Sequence, residues 1–143
     1  MQIPEIEQQI IEEFNAFSDW TEKYEYIIQL GKTLPLIDEA HKTPQHIITG
    51  CQSQVWLHAE YSNGTVIYKA DSDAIITKGI IALLIKVLSS QPPAAIITAK
   101  MDFINHIGLK EHLSPTRSNG LLSMIKQMKL YALAFQAKHE QKG

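Results

Sequence analysis

Cysteine is the scarcest reactive residue of this sequence, with only Cys51 among 143 residues. One thiol cannot close a disulfide within the chain. It also excludes structural zinc or iron–sulfur sites that require several thiolates from the same chain. A reducing compartment suits such a composition. The thiol chemistry of the chain therefore depends on Cys51 alone.

An excess of positive charge is also lacking, because 13 basic side chains stand against 15 acidic ones, for a formal net charge of −2. Binding to a phosphate backbone requires a cationic surplus, so nucleic acid is not an expected partner. The acidic N-terminal segment, residues 1–7, lacks the basic start and apolar run of a secretory signal. We expect the protein to be cytoplasmic.

Long apolar runs are lacking as well. The most apolar stretch, residues 74–88, contains Lys78, Gly79 and Lys86. It is shorter than the roughly 18 residues expected of a membrane-spanning helix, so we predict a buried helix and no membrane partner. The chain length favours a single domain over residues 1–143.

Helical periodicity marks the N-terminal segment. Apolar residues recur at helical spacing from Ile3 to Phe17, with glutamates largely opposite. A second helix is predicted over residues 20–30, capped by Ser18 or Asp19 and ended by Gly31. Residues 34–44 contain prolines and charges, which predict an extended surface loop.

Three strands are predicted next, over residues 47–49, 54–61 and 65–70. Asn63-Gly64 indicates a hairpin turn between the last two, because type I′ turns need positive φ at both central positions. The three acceptors of residues 71–73 are expected to cap the buried helix that follows.

The C-terminal part reads as helical. Short helical turns are predicted over residues 94–98 and 102–107, and Ser114-Pro115 indicates the start of a long final helix. The order of elements predicts an α+β fold, in which helices pack on one face of a small antiparallel sheet of about three strands.

The segment that carries chemistry is residues 49–53, between two predicted strands. Its position predicts a loop held by rigid flanks, where Gly50 permits close approach of another molecule. Gln52 and Ser53 offer polar groups to the sulfur of Cys51. A free cysteine is also commonly a small buried apolar residue, and these neighbours alone leave that alternative open.

Four blocks in order give a more specific indication: GCQSQVWL at residues 50–57, DSDA at 71–74, KG at 78–79 and HLSPTRSNGL at 112–121. Together they resemble the SufE/CsdE family of sulfur acceptors. The resemblance implies a fold like that of the iron–sulfur scaffold proteins and acceptance of persulfide sulfur at Cys51. It further implies stimulation of a cysteine desulfurase of the SufS or CsdA kind, and relay of sulfur toward an iron–sulfur scaffold. The desulfurase carries the pyridoxal phosphate, so no cofactor is expected in this chain, and a homodimer is left open.

Several residues around these blocks are candidates for supporting roles. In a loop where many relatives present arginine or lysine toward the partner, this chain has His41-Lys42. Arg117, its only arginine, is predicted to pair with a partner carboxylate or with Asp73. Helix capping is the simpler role for Asp73.

Two other classes of protein are weighed against the sulfur acceptor. A stand-alone cysteine-dependent thiol enzyme would use Cys51 with a histidine such as His46, but no third orienting group is evident. An iron–sulfur scaffold would need more cysteines than one. The histidines are expected at solvent-facing positions, and Trp56 in the core or on a sheet face.

Overall fold

The computed structural model describes residues 1–140. Within these residues, six α-helices and two strands are joined by short loops and single 3-10 turns. In chain order they are α1 (Ile3–Asn15), α2 (Trp20–Lys32), β1 (Val55–Ser62), β2 (Thr65–Ser72), α3 (Ile75–Leu88), α4 (Pro93–Thr98), α5 (Phe103–His106) and α6 (Pro115–Glu140). The 3-10 turns are Glu39–His41, Pro44–His46 and Lys110–His112.

The N-terminal helices form as predicted, with one difference at the end of α2. Asp19 caps this helix by accepting a hydrogen bond from the backbone of Glu22, at 3.0 Å. The helix does not end at Gly31 but continues to Lys32. Gly31 is buried where α2 crosses α3, and a Cβ atom there would lie 3.0 Å from the backbone nitrogen of Gly79. It is therefore a packing residue and not a helix terminator.

The sheet has two strands, so the predicted third strand is wrong. β1 and β2 pair antiparallel from Val55–Ser72 to Ser62–Thr65, through the predicted turn at Asn63 and Gly64, whose φ values are 52° and 80°. Residues 47–49 contribute only an isolated bridge from Ile47 to Trp56. A 3-10 turn ends just before them and Gly50 has a φ of 95°, so the extended segment is too short to form a strand.

The core lies between one face of the sheet and the helices, which confirms the predicted α+β architecture. Alternate residues of both strands are buried on that face: Val55, Leu57, Ala59, Val66, Tyr68 and Ala70. Helix α3 is buried on nearly every side, and the Tyr68 hydroxyl donates a 2.6 Å hydrogen bond to the carbonyl of Met128 in α6. In the described part of the chain, none of the helices has the length and apolar character needed to cross a membrane.

The starts of α3 and α6 differ in how they are capped. Ser114 accepts a 3.2 Å hydrogen bond from the Arg117 backbone and Pro115 opens α6, as predicted. At α3 the N-cap is Ala74, and no side chain caps the helix. Of the three expected acceptors, Ser72 comes nearest to this role, because its hydroxyl accepts a 3.3 Å hydrogen bond from the Ala74 nitrogen. The prediction of a cap by Asp73 is wrong, because this carboxylate binds the chain after Cys51 instead.

Candidate functional site

Cys51 lies on a loop, residues 49–53, that is fixed at both ends. Before it, the Ile48 nitrogen donates to the Val55 carbonyl at 2.8 Å. After it, Gln54 makes two hydrogen bonds with Asp73: its nitrogen donates to Asp73 Oδ1 at 3.1 Å, and its carbonyl accepts from the Asp73 nitrogen at 3.3 Å. Asp73 thus fastens the cysteine loop to the connection between β2 and α3.

Helix α6 lies directly against this loop. A Cβ atom at Gly50 would come within 2.5 Å of Ser123 Oγ, and one at Gly120 would lie 3.4 Å from Cys51 Sγ. The two residues of α6, Gly120 and Ser123, are three positions apart and lie on one face of the helix. The contact at Gly50 needs the small size of glycine, and at Gly120 the missing side chain leaves space beside the sulfur, so the loop approaches the helix closely enough to cover the sulfur on one side.

The Cys51 side chain is half-buried, and its thiol donates to the Gly120 carbonyl at 3.7 Å. Burial raises the pKa of the Cys51 thiol, since the thiolate is poorly solvated there. The thiol is therefore held neutral and protected in the isolated chain. A free-standing thiol enzyme needs the opposite, a depressed thiol pKa with a base in contact.

The exposed side of the sulfur opens into a cavity of about 240 Å³. Its buried floor is formed by residues of α3 and α6: Thr77, Ile80, Gly120 and Met124. Its rim combines the cysteine loop with the start of α6: Gln52, Ser53, Ser114, Thr116 and Arg117. Because one water molecule takes about 30 Å³ of liquid, the cavity has room for an additional sulfur atom on Cys51.

Of the predicted site residues, the structure brings Cys51, Gly50, Gln52, Ser53, Asp73 and Arg117 together. Arg117 is exposed at the rim and makes no ion pair within the described residues, with Asp73 or with any other carboxylate. Its guanidinium is therefore available to an anionic group that enters the cavity or docks at its rim.

His41 and Lys42 lie outside the cavity, on the opposite face of the sheet. Lys42 Nζ is 2.8 Å from Asp71 Oδ2 and 3.0 Å from Glu39 Oε1, and it stands 5.3 Å from the ring centre of Trp56. Burial opposes ionisation of Asp71, but the hydrogen bonds from Lys42 and from the Ser72 backbone, together with the charge of Lys78, outweigh burial and lower the pKa of Asp71. Lys42 is therefore held within the chain, and its contact with a partner stays a prediction.

Three of the histidines form a cluster that the sequence pattern did not reveal. The ring of His41 stacks on that of His58 at 4.0 Å, and His46 Nε2 lies 3.2 Å from His58 Nδ1. All three are partly buried, against the prediction of solvent-facing positions. Burial and the neighbouring imidazoles lower the pKa of His58. None of them lines the Cys51 cavity, so His46 is not placed as a base for Cys51.

Sequence reasoning missed the cavity floor, and above all Thr77 and Gly120. A signal was present for each: Thr77 is a polar residue near the start of the most apolar helical run, and Gly120 is an isolated glycine just before the apolar stripe of the last helix. An isolated glycine inside a helix commonly marks a close approach of another chain segment. The partner of that approach is not visible in the sequence.

Comparison with known proteins identifies the family of the chain. The family model SufE, described as "Fe-S metabolism associated domain", matches residues 8–132. SufE-like protein 1, chloroplastic/mitochondrial, of Arabidopsis thaliana is 40% identical over 141 residues, which are 98% of this chain and 38% of the plant protein. An uncharacterized SufE-like protein of Rhizobium etli is 40% identical over 126 residues, covering 85% of each chain. The chain therefore belongs to the SufE family.

A solved structure supports the fold separately. The solution structure of a hypothetical protein from Thermus thermophilus superposes with a TM-score of 0.78 at 20% sequence identity, covering 94% of this chain and 97% of that one. Agreement over nearly the whole of both chains shows a common fold at this low identity.

Proposed function

We propose that this protein is a sulfur acceptor that takes a persulfide sulfur onto Cys51 from a pyridoxal phosphate-dependent cysteine desulfurase. The observation that carries the proposal is the half-buried thiol of Cys51, opening into a cavity large enough for a second sulfur. Membership in the SufE family, whose description is Fe-S metabolism, supports the same role. In this proposal the domain stimulates its desulfurase and passes the sulfur toward iron–sulfur assembly in the cytoplasm.

The transfer is a displacement at sulfur that needs no additional oxidant. The Cys51 thiolate attacks the outer sulfur of the donor's persulfide, a bond forms from Cys51 Sγ to that sulfur, and the donor's own cysteine leaves as a thiolate. The proton of the Cys51 thiol passes to solvent or to the departing thiolate. Since burial raises the pKa of this thiol, docking of the partner must expose or deprotonate it before attack.

Incubation with a desulfurase and free cysteine tests the proposal. Intact mass spectrometry should show one sulfur atom added to the wild-type chain, and alkylation mapping should place it on Cys51. Cys51→Ser is the matched control, because it keeps the side-chain size nearly unchanged and removes the only thiol. If a competent desulfurase leaves the wild-type mass unchanged, the acceptor role is wrong.

Stimulation of the partner is measured separately, as the rate of alanine production from cysteine. Wild-type protein should increase that rate, and Cys51→Ser should not, because it docks without removing the sulfur. An equal increase with both would mean that the chain activates its partner by contact alone and is not the acceptor.

A further inference from the structure

The hydroxyl of Thr77 opens onto the cavity beside Cys51. Thr77 lies in the first turn of α3, is only 6% exposed, and forms part of the floor of that cavity. No side chain or backbone group among the described residues hydrogen-bonds its hydroxyl, and none of their fully enclosed side-chain oxygens lacks a partner. The Thr77 oxygen is therefore not sealed in the core but is reached from the cavity, where a bound group can accept its hydrogen bond.

Another threonine in the same chain shows the usual arrangement. Thr98, in α4, turns its hydroxyl back onto its own helix and donates to the carbonyl of Ala94 at 2.8 Å. Such a back-bond is open to a threonine whose preceding turn is helical. Thr77 is the third residue of α3, so the residue four positions earlier is Asp73, which lies before the N-cap Ala74 and outside the helix. The Thr77 hydroxyl is therefore available to a group that enters the cavity.

The thiol of Cys51 is not that group, since it already donates to the Gly120 carbonyl. A sulfur atom added to Cys51 Sγ extends the side chain into the cavity and ends in an anion, which needs a donor. Thr77, Ser114, Thr116 and Arg117 are the donor side chains that line the cavity together with the loop itself, and of these only Thr77 is buried in its floor.

We propose that the Thr77 hydroxyl donates a hydrogen bond to the outer sulfur of a persulfide on Cys51 and so positions it within the cavity. This inference rests on the proposed function, and it makes Thr77 a residue that binds the cargo sulfur and not the resting thiol. Thr77→Val removes the donor at constant shape, and Thr77→Ser keeps it. Thr98→Val is the matched control for the same substitution in a helix outside the cavity.

The test loads each variant with inorganic polysulfide, which needs no desulfurase, and confirms one added sulfur by intact mass. The pKa of the bound persulfide is then measured from the ultraviolet absorbance of its anion. A hydrogen bond to an anion contributes roughly 1.5–3 kcal/mol, so Thr77→Val should raise the persulfide pKa by about one to two units. Thr77→Ser and Thr98→Val should match the wild type. The pKa of the unloaded thiol, titrated separately, should be nearly equal in all four proteins.

The outcomes separate this inference from the proposed function. An unchanged persulfide pKa in Thr77→Val, or equal shifts of thiol and persulfide, would overturn the role of Thr77. Wild-type protein that cannot hold a polysulfide-derived sulfur would overturn it as well. Failure of a desulfurase to load the wild type would instead contradict the acceptor role, while the polysulfide titration would still decide the role of Thr77.

Discussion

Gly120→Ala and Gly79→Ala are the same substitution within two helices, and the structure predicts opposite effects on stability. Replacing glycine by alanine in a helix interior gains about 0.8–1 kcal/mol through helix propensity. At Gly120 the new Cβ would lie 3.4 Å from Cys51 Sγ, an ordinary contact distance, so most of this gain is retained. We expect the free energy of unfolding to rise by roughly 0.5–1 kcal/mol.

At Gly79 the same methyl group would lie 2.2 Å from the carbonyl oxygen of Ile27 and 2.8 Å from its carbonyl carbon. Those atoms belong to the backbone of α2, so α2 and α3 must move apart. Overpacking of a core costs about 1–3 kcal/mol and occasionally more, and a contact this short belongs at the upper end. Even after the helix-propensity gain, we expect a net loss of about 2 kcal/mol.

Urea unfolding, followed by the far-ultraviolet circular dichroism of the helices, measures both changes in the free energy of unfolding. The persulfide assay gives a second result for Gly120→Ala: the methyl group narrows the space beside Cys51, so less sulfur should be retained although the fold is more stable. Destabilisation of Gly120→Ala by more than about 1 kcal/mol, or a neutral Gly79→Ala, would refute the helix-packing geometry on which the reasoning depends.

Other predictions concern charge and hydrogen bonding. Because the pKa of His58 is lowered in the folded chain, the unfolded chain binds more protons, and stability falls as the pH drops below the ordinary histidine value. His58→Gln should therefore lose less stability than the wild type between about pH 7 and 5.5 in thermal unfolding, and an equal loss in both proteins would contradict this prediction. Tyr68→Phe removes the hydrogen bond to Met128 and should lower the free energy of unfolding by about 1 kcal/mol in urea titration; no loss would mean that this bond has no net value. Because burial raises the pKa of the Cys51 thiol, the rate of its alkylation should increase only at a pH above the pKa of a free cysteine. A rate that is already maximal near neutral pH would contradict the burial of the thiol.

Features governed by neighbours in sequence were predictable. Asn63-Gly64 forms its hairpin turn, and Ser114-Pro115 opens α6, because both depend on backbone preferences within four residues. The SufE-like blocks likewise placed Cys51 in the loop where the structure has it. Helical periodicity located α1, α2 and α6, whereas α3 was predicted from its apolar run because it is buried on nearly every side.

Features governed by contacts between residues distant in sequence were not predictable. Glycine is a residue type that commonly ends a helix, but Gly31 lies inside α2 because it packs against Gly79, which is far along the chain. Asp73 is a good N-cap residue by type, yet it binds Gln54 because β1 and β2 bring the two ends of the hairpin together. Thr77 became a candidate only once its place in the floor of the cavity was known.

The two attachments of the cysteine loop limit how far its sulfur can travel. With Ile48 and Gln54 held by backbone hydrogen bonds, Cys51 is three residues from either fixed point. A fully extended chain spans at most about 3.3–3.6 Å per residue, so the Cys51 backbone can move no farther than roughly 10 Å from its anchors. Under the proposed function, a donor cysteine that lies deeper than this in the partner would have to present its persulfide on a projecting segment. Most of the distance between the two cysteines would then be covered by the partner.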